Sequence, residues 1–264
     1  MAPPISVQLY SLREQTKDGN HLAVLKKLAD TGFYGVEAAG FYGLKPAEYR
    51  KIIHDLGMVV SGCHFGGVPE GKDLQQVIDN QYELGCPYAV SAWLPREEYA
   101  TLDTIKRLAE RVEVVRAALA KAGLNFLLHN HDWEFSRVAG RTCFSWLTEL
   151  VPGIQLEIDT YWAANFGAEI PAAQVAEHKA RTVLLHLKDG PFTKGEPMVA
   201  VGSGKQDIPS IVKAADPAVL KWGVVELDAC ATDMTTAVIE SYNYLVGNGI
   251  CVGAKPAAAS AKRA

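Results

Sequence analysis

The alternation of two patterns along the chain restricts its fold more than any other feature. Short β-rich runs occur at residues 5–12, 35–39, 58–64, 88–93, 125–131, 154–160, 182–188 and 223–228, eight in all. Each is followed by a segment with helical spacing. The stretches 22–29, 47–56, 74–84, 102–122 and 237–246 carry apolar residues three and four apart, as a helix with one buried face requires. Gly32, Gly57, Gly85 and Gly123 sit just past such stretches, where a left-handed cap favours glycine. Strand and helix in strict alternation imply parallel strands joined by right-handed crossovers, and eight such units can close into a ring. The expected architecture is an α/β fold, a single-domain (β/α)8 or TIM barrel, and the 264 residues match the roughly 250 such a barrel uses. An open doubly wound sheet is the competing topology. It is disfavoured because no G-x-G-x-x-G follows the first run and because polar residues gather at the C-terminal ends of the runs, where a barrel keeps its site. The barrel is assigned to 1–254, and the Ala-, Lys- and Pro-rich stretch 255–264 is expected to be a disordered tail.

Composition narrows the function classes. Apolar residues make up 48% and charged residues 21% of the chain, ordinary values for a globular protein. A net charge of -4 supplies no basic footprint for a phosphate backbone, so nucleic acid is not an expected partner. No run approaches the roughly 18 continuous apolar residues of a membrane span. Met1-Ala-Pro-Pro leads straight into the first run without the basic start and apolar stretch of a signal peptide. A cytoplasmic location with no membrane partner follows as the expectation. Cys63, Cys86, Cys143, Cys230 and Cys251 are scattered, odd in number and without a C-x-x-C pair, so they read as reduced, mostly buried thiols.

Side chains alternate inward and outward along a strand, so two residues two apart at a strand end share a face. Four runs end in such polar pairs: His129 with His131, Glu157 with Asp159, His186 with Lys188, and Glu226 with Asp228. A barrel interior is ordinarily filled by Val, Ile and Leu, and an unpaired buried charge costs several kcal/mol. Repeated carboxylates and imidazoles therefore need a partner, and one divalent cation would supply it. Mixed imidazole and carboxylate donors suit manganese or zinc best, with Co, Fe and Ni also compatible and Mg weaker because it prefers oxygen throughout. The bland alternative is a rim of ordinary ion pairs and helix caps, which four coincident pairs make less economical.

The segments QLYSL, GVE, CHF, LHNHDWEF, LEIDTYWA, HLKDG and VVELD resemble, in order, those of the xylose isomerase-like barrel superfamily, especially its sugar phosphate isomerase/epimerase branch. The resemblance runs from about residue 5 to 246. It implies a metal held by Asp159, His186 and Glu226. The remaining family ligand is a glutamate at the end of the fifth strand, where this sequence has His129 followed by His131. His129 is placed first as the fourth ligand. Glu157, which shares a face with Asp159, and Glu134 are both candidates for the role of the missing carboxylate.

The resemblance implies a metal-dependent sugar isomerase or epimerase acting on a keto- or aldo-sugar, or a polyol, through a metal-stabilised enediolate. Glu226 is then ligand and base, with Glu157 or His131 as its counterpart, because proton transfer needs a group within hydrogen-bond reach. The same resemblance allows a lyase, of inosose-dehydratase type or eliminating an aglycone from a 3-keto-glycoside. A nuclease is disfavoured by the charge, and a non-catalytic sugar-binding barrel by the donor set. His64, Trp93, Lys188, Glu37 and Glu134 are expected to bind substrate, with Gln8 in the same weaker group; Lys188 could instead be a rim lysine paired with Asp189. Phe41, Tyr42, Trp133, Tyr161 and Trp162 could offer rings to a sugar face, whereas His21, His54 and His178 read as surface or packing residues. The segment Gly202-Ser-Gly-Lys-Gln-Asp207 is either a phosphate cradle or a turn into a helix, and the turn is preferred. Outer helices could pair in a homodimer, which the resemblance also implies.

Overall fold

A computed structural model describes residues 1–257. Eight parallel strands close into one barrel: β1 (Ile5–Gln8), β2 (Gly35–Ala38), β3 (Val59–Phe65), β4 (Tyr88–Ser91), β5 (Asn125–His129), β6 (Gln155–Asp159), β7 (Thr182–Leu187) and β8 (Trp222–Val225). Each pairs with its sequence neighbours, and β8 pairs with β1 to complete the ring. Helices α1 (His21–Thr31), α2 (Pro46–Asp55), α3 (Gly71–Leu84), α4 (Leu102–Lys121), α5 (Cys143–Leu150), the short α6 (Thr160–Ala163), α7 (Pro171–His178), α8 (Ile208–Ala214) and α9 (Met234–Gly247) lie between or after the strands. The (β/α)8 expectation holds. An antiparallel hairpin of Arg137–Val138 and Arg141–Thr142 in the loop after β5 was not anticipated.

The first run stops short of its expected end. The side chain of Gln8 accepts a hydrogen bond from the Tyr10 backbone N–H, and Leu9–Leu12 turns into a 3-10 helix across the mouth. Such a side-chain acceptor offers the backbone an alternative to the ladder.

Two faces of each strand do different work. Ile5, Val7, Val36, Ala38, Phe126, Leu128, Leu156, Ile158, Leu185, Leu187 and Val225 face outward into one large core with the helices. On α4, for example, Ile105, Leu108, Val112, Val115 and Leu119 are buried at three- and four-residue spacing, while Val114 on the opposite face is exposed. Each such burial contributes roughly 1.5–3 kcal/mol. Val90, Leu127, Val183 and Leu184 form a separate apolar cluster with Trp222 against it. The intervening positions of the strands carry the polar residues, so alternation along each strand delivers the side chains of the site.

The expected tail at 255–264 falls outside the described residues from 258 onward. Lys255 itself is held, its carbonyl accepting from the Tyr242 hydroxyl at 2.5 Å and its ammonium donating to the Asp30 carbonyl at 2.9 Å. The five cysteines are free thiols, four of them buried. Among the described residues, no helix is long and apolar enough to cross a membrane.

Candidate metal centre and active site

Register brings the polar strand ends into one cluster. His129 on β5 is paired across the ladder with Glu157 on β6, and Asp159 with His186 on β7. His129, Asp159, His186 and Glu226 each bring one ligand atom to within 4.8 Å of the others. His186 Nδ1 lies 2.7 Å from Glu226 Oε2, and His129 Nε2 lies 3.8 Å from Asp159 Oδ2. All four residues are buried. Two imidazole nitrogens with two carboxylates form a donor set suited to a divalent transition metal. Asp159 uses Oδ1 to cap α6, accepting from Tyr161 and Trp162 N–H. Its buried Oδ2 lies 2.8 Å from the Lys188 ammonium and 3.8 Å from His129 Nε2, so a cation held here would share this oxygen with the lysine.

A second set of carboxylates lies behind this one. Glu157 Oε2 sits 3.0 Å from His129 Nδ1, 3.1 Å from His186 Nε2 and 2.8 Å from His64 Nε2. Glu37 Oε2 accepts from Gln8 Nε2 at 2.9 Å and lies 2.7 Å from His186 Nε2 and 3.3 Å from His64 Nε2. Both glutamates are fully buried. Gly62 makes room for Glu37, whose carboxylate a Cβ at that position would overlap. Lys188 is buried too, its ammonium 2.8 Å from both Asp159 Oδ2 and Glu226 Oε2 and 2.6 Å from Asp228 Oδ2.

Above these groups opens a cavity of about 420 Å³ whose wall includes Tyr10, His64, Trp93, His129, His131 and Glu226. Trp93 is half exposed at its lip. His131 stacks on Trp133 with centroids 4.3 Å apart, and Trp133 is anchored through Nε1 to the Leu94 carbonyl. The Nδ1 of His131 is buried without a partner. Glu37, Glu157, Glu134 and Lys188 form no part of the wall.

Charge is distributed by contact. Burial opposes ionisation of Glu226, but Lys188 and His186 outweigh it and hold the carboxyl well below its usual range. The same contest at Glu157, with His186 and His64, also ends in a lowered value. For Asp159 burial prevails over Lys188 and raises the carboxyl to about 6. Burial disfavours charge on His64, yet Glu37 and Glu157 reverse it and lift the imidazole to about 10. His131, buried and beside His129, falls to about 2.

Several expected mouth residues take other places. Glu134 is fully buried, accepts from the His131 backbone N–H at 2.9 Å and is pushed up to about 8 by burial. It braces the HNHDWE turn. Phe41 and Tyr42 pack on Tyr49, and Tyr42 stacks on His21, so these rings belong to the shell of α1 and α2. Tyr161 and Trp162 line an adjoining pocket of about 200 Å³ with Phe166 and Lys194. His54 is exposed and His178 buried, both away from the cavity.

Sequence reasoning considered Asp189 only as a partner for Lys188. Lys188 does not pair with it. The Asp189 carboxylate instead accepts the backbone N–H groups of Gly190, Gly202, Gly204 and Gln206 at 2.8–3.0 Å. A Cβ at Gly204 would collide with that carboxylate. The glycine-rich loop is therefore an anion cradle already filled by the chain's own aspartate. Asn130 was missed. It exchanges two 3.1 Å hydrogen bonds with the Asp159 backbone, fastening the β5 end to β6. A polar residue between two histidines was the only signal available.

A family model described as a xylose isomerase-like TIM barrel matches residues 25–228. No curated protein matches the chain in sequence. Among solved structures, the chain is similar to a sugar phosphate isomerase/epimerase from Parabacteroides distasonis, at 25% identity over 93% of this chain and 94% of that one, with a TM-score of 0.77. An L-ribulose 3-epimerase shares the fold at 16% identity, 94% coverage of both chains and a TM-score of 0.71. A 3-keto-D-glucoside 4-epimerase from E. coli does so at 17% identity, covering 92% of this chain and 98% of that one, with a TM-score of 0.66. With 204 consecutive residues under the family model and a closed eight-stranded parallel ring, the chain belongs to the xylose isomerase-like TIM barrel family.

Proposed function

We propose that the protein is a divalent-metal-dependent isomerase or epimerase of an uncharged sugar. One observation carries the reading: His129, Asp159, His186 and Glu226 converge within 4.8 Å at a cavity large enough for a monosaccharide. These four would hold manganese or zinc. A bound cation would polarise a carbonyl and acidify the neighbouring C–H. Glu226 takes that proton from its place in the cavity wall, its carboxylate kept ionised by Lys188 and His186. His131 is its counterpart, with an unpartnered Nδ1 and a ring held by Trp133. His64 orients the substrate hydroxyls, and Trp93 offers a ring face to the sugar. Among the described residues, the wall contains two carboxylates and no lysine or arginine, and the anion cradle of the glycine-rich loop is filled by Asp189. Both features favour a substrate without phosphate.

The lyase is the second reading, favoured by one observation. Glu226 and Asp228, the wall's carboxylates, both contact Lys188 and so lie on one side, leaving imidazoles to supply the other face. Metal analysis of the purified protein, followed by incubation with unphosphorylated ketoses and 3-keto-glucosides in deuterium oxide, tests the proposal. Deuterium wash-in with retained formula is the expected result. Release of aglycone or an absorbing enone would replace isomerase by lyase, and a chain that binds neither manganese nor zinc would sink both.

A further inference from the structure

We infer that Glu157 is a positioning residue that sets which nitrogen of His129 faces the cation. This inference rests on the proposed metal-dependent function. A neutral imidazole has one N–H and one lone pair, and only the lone pair can bind a metal. Something must therefore hold the N–H on the far side of the ring. Glu157 does so for His129, its Oε2 accepting from Nδ1 at 3.0 Å, whereas the hydrogen bond on His186 Nε2 goes to Glu37 Oε2 at 2.7 Å, with Glu157 Oε2 farther off at 3.1 Å.

The two imidazole ligands are held differently. His129 keeps its proton on Nδ1 and presents Nε2, which lies 3.8 Å from Asp159 Oδ2. His186, held at Nε2 by Glu37, has its Nδ1 2.7 Å from Glu226 Oε2 and donates to that carboxylate, so a cation binding at Nδ1 would displace this proton. Glu157 is the carboxylate on His129 Nδ1. The register explains the match, because His129 and Glu157 are direct cross-strand partners on β5 and β6. A carboxylate ligand at the β5 end would need no proton placed. An imidazole there does, and its partner across the ladder provides the acceptor. Glu157 also holds His64 Nε2 at 2.8 Å, so one carboxylate aligns two rings.

The same atoms allow a rival arrangement, since His64, His129, Glu157 and His186 also bring ligand atoms within 4.8 Å of one another. A second cation there would make Glu157 a ligand and would need His129 and His186 to bridge two metals through both nitrogens. The single-cation arrangement uses each nitrogen once and is the one we adopt.

Zinc titration of chelator-stripped wild type, Glu157→Gln and Glu37→Gln proteins, with long-range proton–nitrogen spectra of 15N-histidine-labelled protein, tests the inference. Wild type is expected to bind one zinc per chain through Nε2 of His129. Glu157→Gln should bind about 10–100-fold more weakly and lose the His129 pattern, whereas Glu37→Gln should keep it. An unchanged affinity in Glu157→Gln, zinc bound through Nδ1 of His129, or two zincs per chain would overturn the inference while leaving the metal-dependent function standing. Wild type that binds no zinc or manganese removes the function and the inference together. The wild-type spectrum decides by itself should the variant not fold.

Discussion

Glu226 carries three contacts that pull in the same direction: His186 Nδ1 at 2.7 Å, Lys188 Nζ at 2.8 Å and an edge on the cavity. Its role as base depends on the charge, and Glu226→Gln removes that charge with little change of shape. Turnover should fall by about 10²–10⁴-fold, with the far-ultraviolet circular dichroism of the barrel retained. A variant that keeps the wild-type rate would exclude Glu226 from the chemistry. At this scale the sequence was most informative for the residues with strand-end spacing. It was least informative for Glu157, Glu37 and Glu134, because parity along a strand gives the face of a side chain but not its depth. The two carboxylates beneath the imidazoles and the glutamate bracing His131 differ from Glu226 in what covers them, and that is decided by neighbouring strands.

Two elements outside the cavity determine how firmly it is held. The loop from Gly190 to Gln206 is clasped by the Asp189 carboxylate through four backbone N–H groups, directly after the strand that bears His186 and Lys188. Asp189→Ala would leave those donors without their acceptor, at a cost of about 2–5 kcal/mol. Denaturant unfolding should show that loss, and limited proteolysis should cut first within the released loop; an uncut loop with unchanged stability would argue that water replaces the carboxylate. Helix α7 carries a pH-sensitive residue. His178 is buried against Phe144, and burial together with Arg181 lowers its pKa to about 4 from 6.5. Between those values the unfolded chain takes up a proton that the folded chain refuses, so stability falls as pH drops from 6.5 towards 4. The urea midpoint should decline across that window in wild type and less steeply in His178→Gln. Equal slopes would mean that His178 ionises freely in the fold.

The whole barrel gathers Glu37, Glu157, Asp159 and Glu226, all buried, around Lys188 and the imidazoles at the floor of the cavity. Binding a cation there stabilises the folded chain alone. At about 100 times the dissociation constant the gain is about 2.7 kcal/mol, or roughly 5–10 °C in melting temperature for a chain of this size. Chelator treatment should lower the transition by that amount, and manganese or zinc should restore it. A melting temperature indifferent to both would contradict the metal centre.

Alternation of strand and helix settled the (β/α)8 topology from residue types alone, because periodicity, glycine caps and crossover handedness are local rules that repeat eight times. Asp159, His186 and Glu226 were legible for the same reason: each ends a strand, and a closed ring brings strand ends together. Only the tertiary structure decided that Glu157 lies behind His129 and His186, that Asp189 fills the glycine loop, and that Phe41 and Tyr42 leave the cavity for the helical shell. Those outcomes depend on ladder register and on the packing of residues far apart in the chain, distances that no pattern within a single segment encodes.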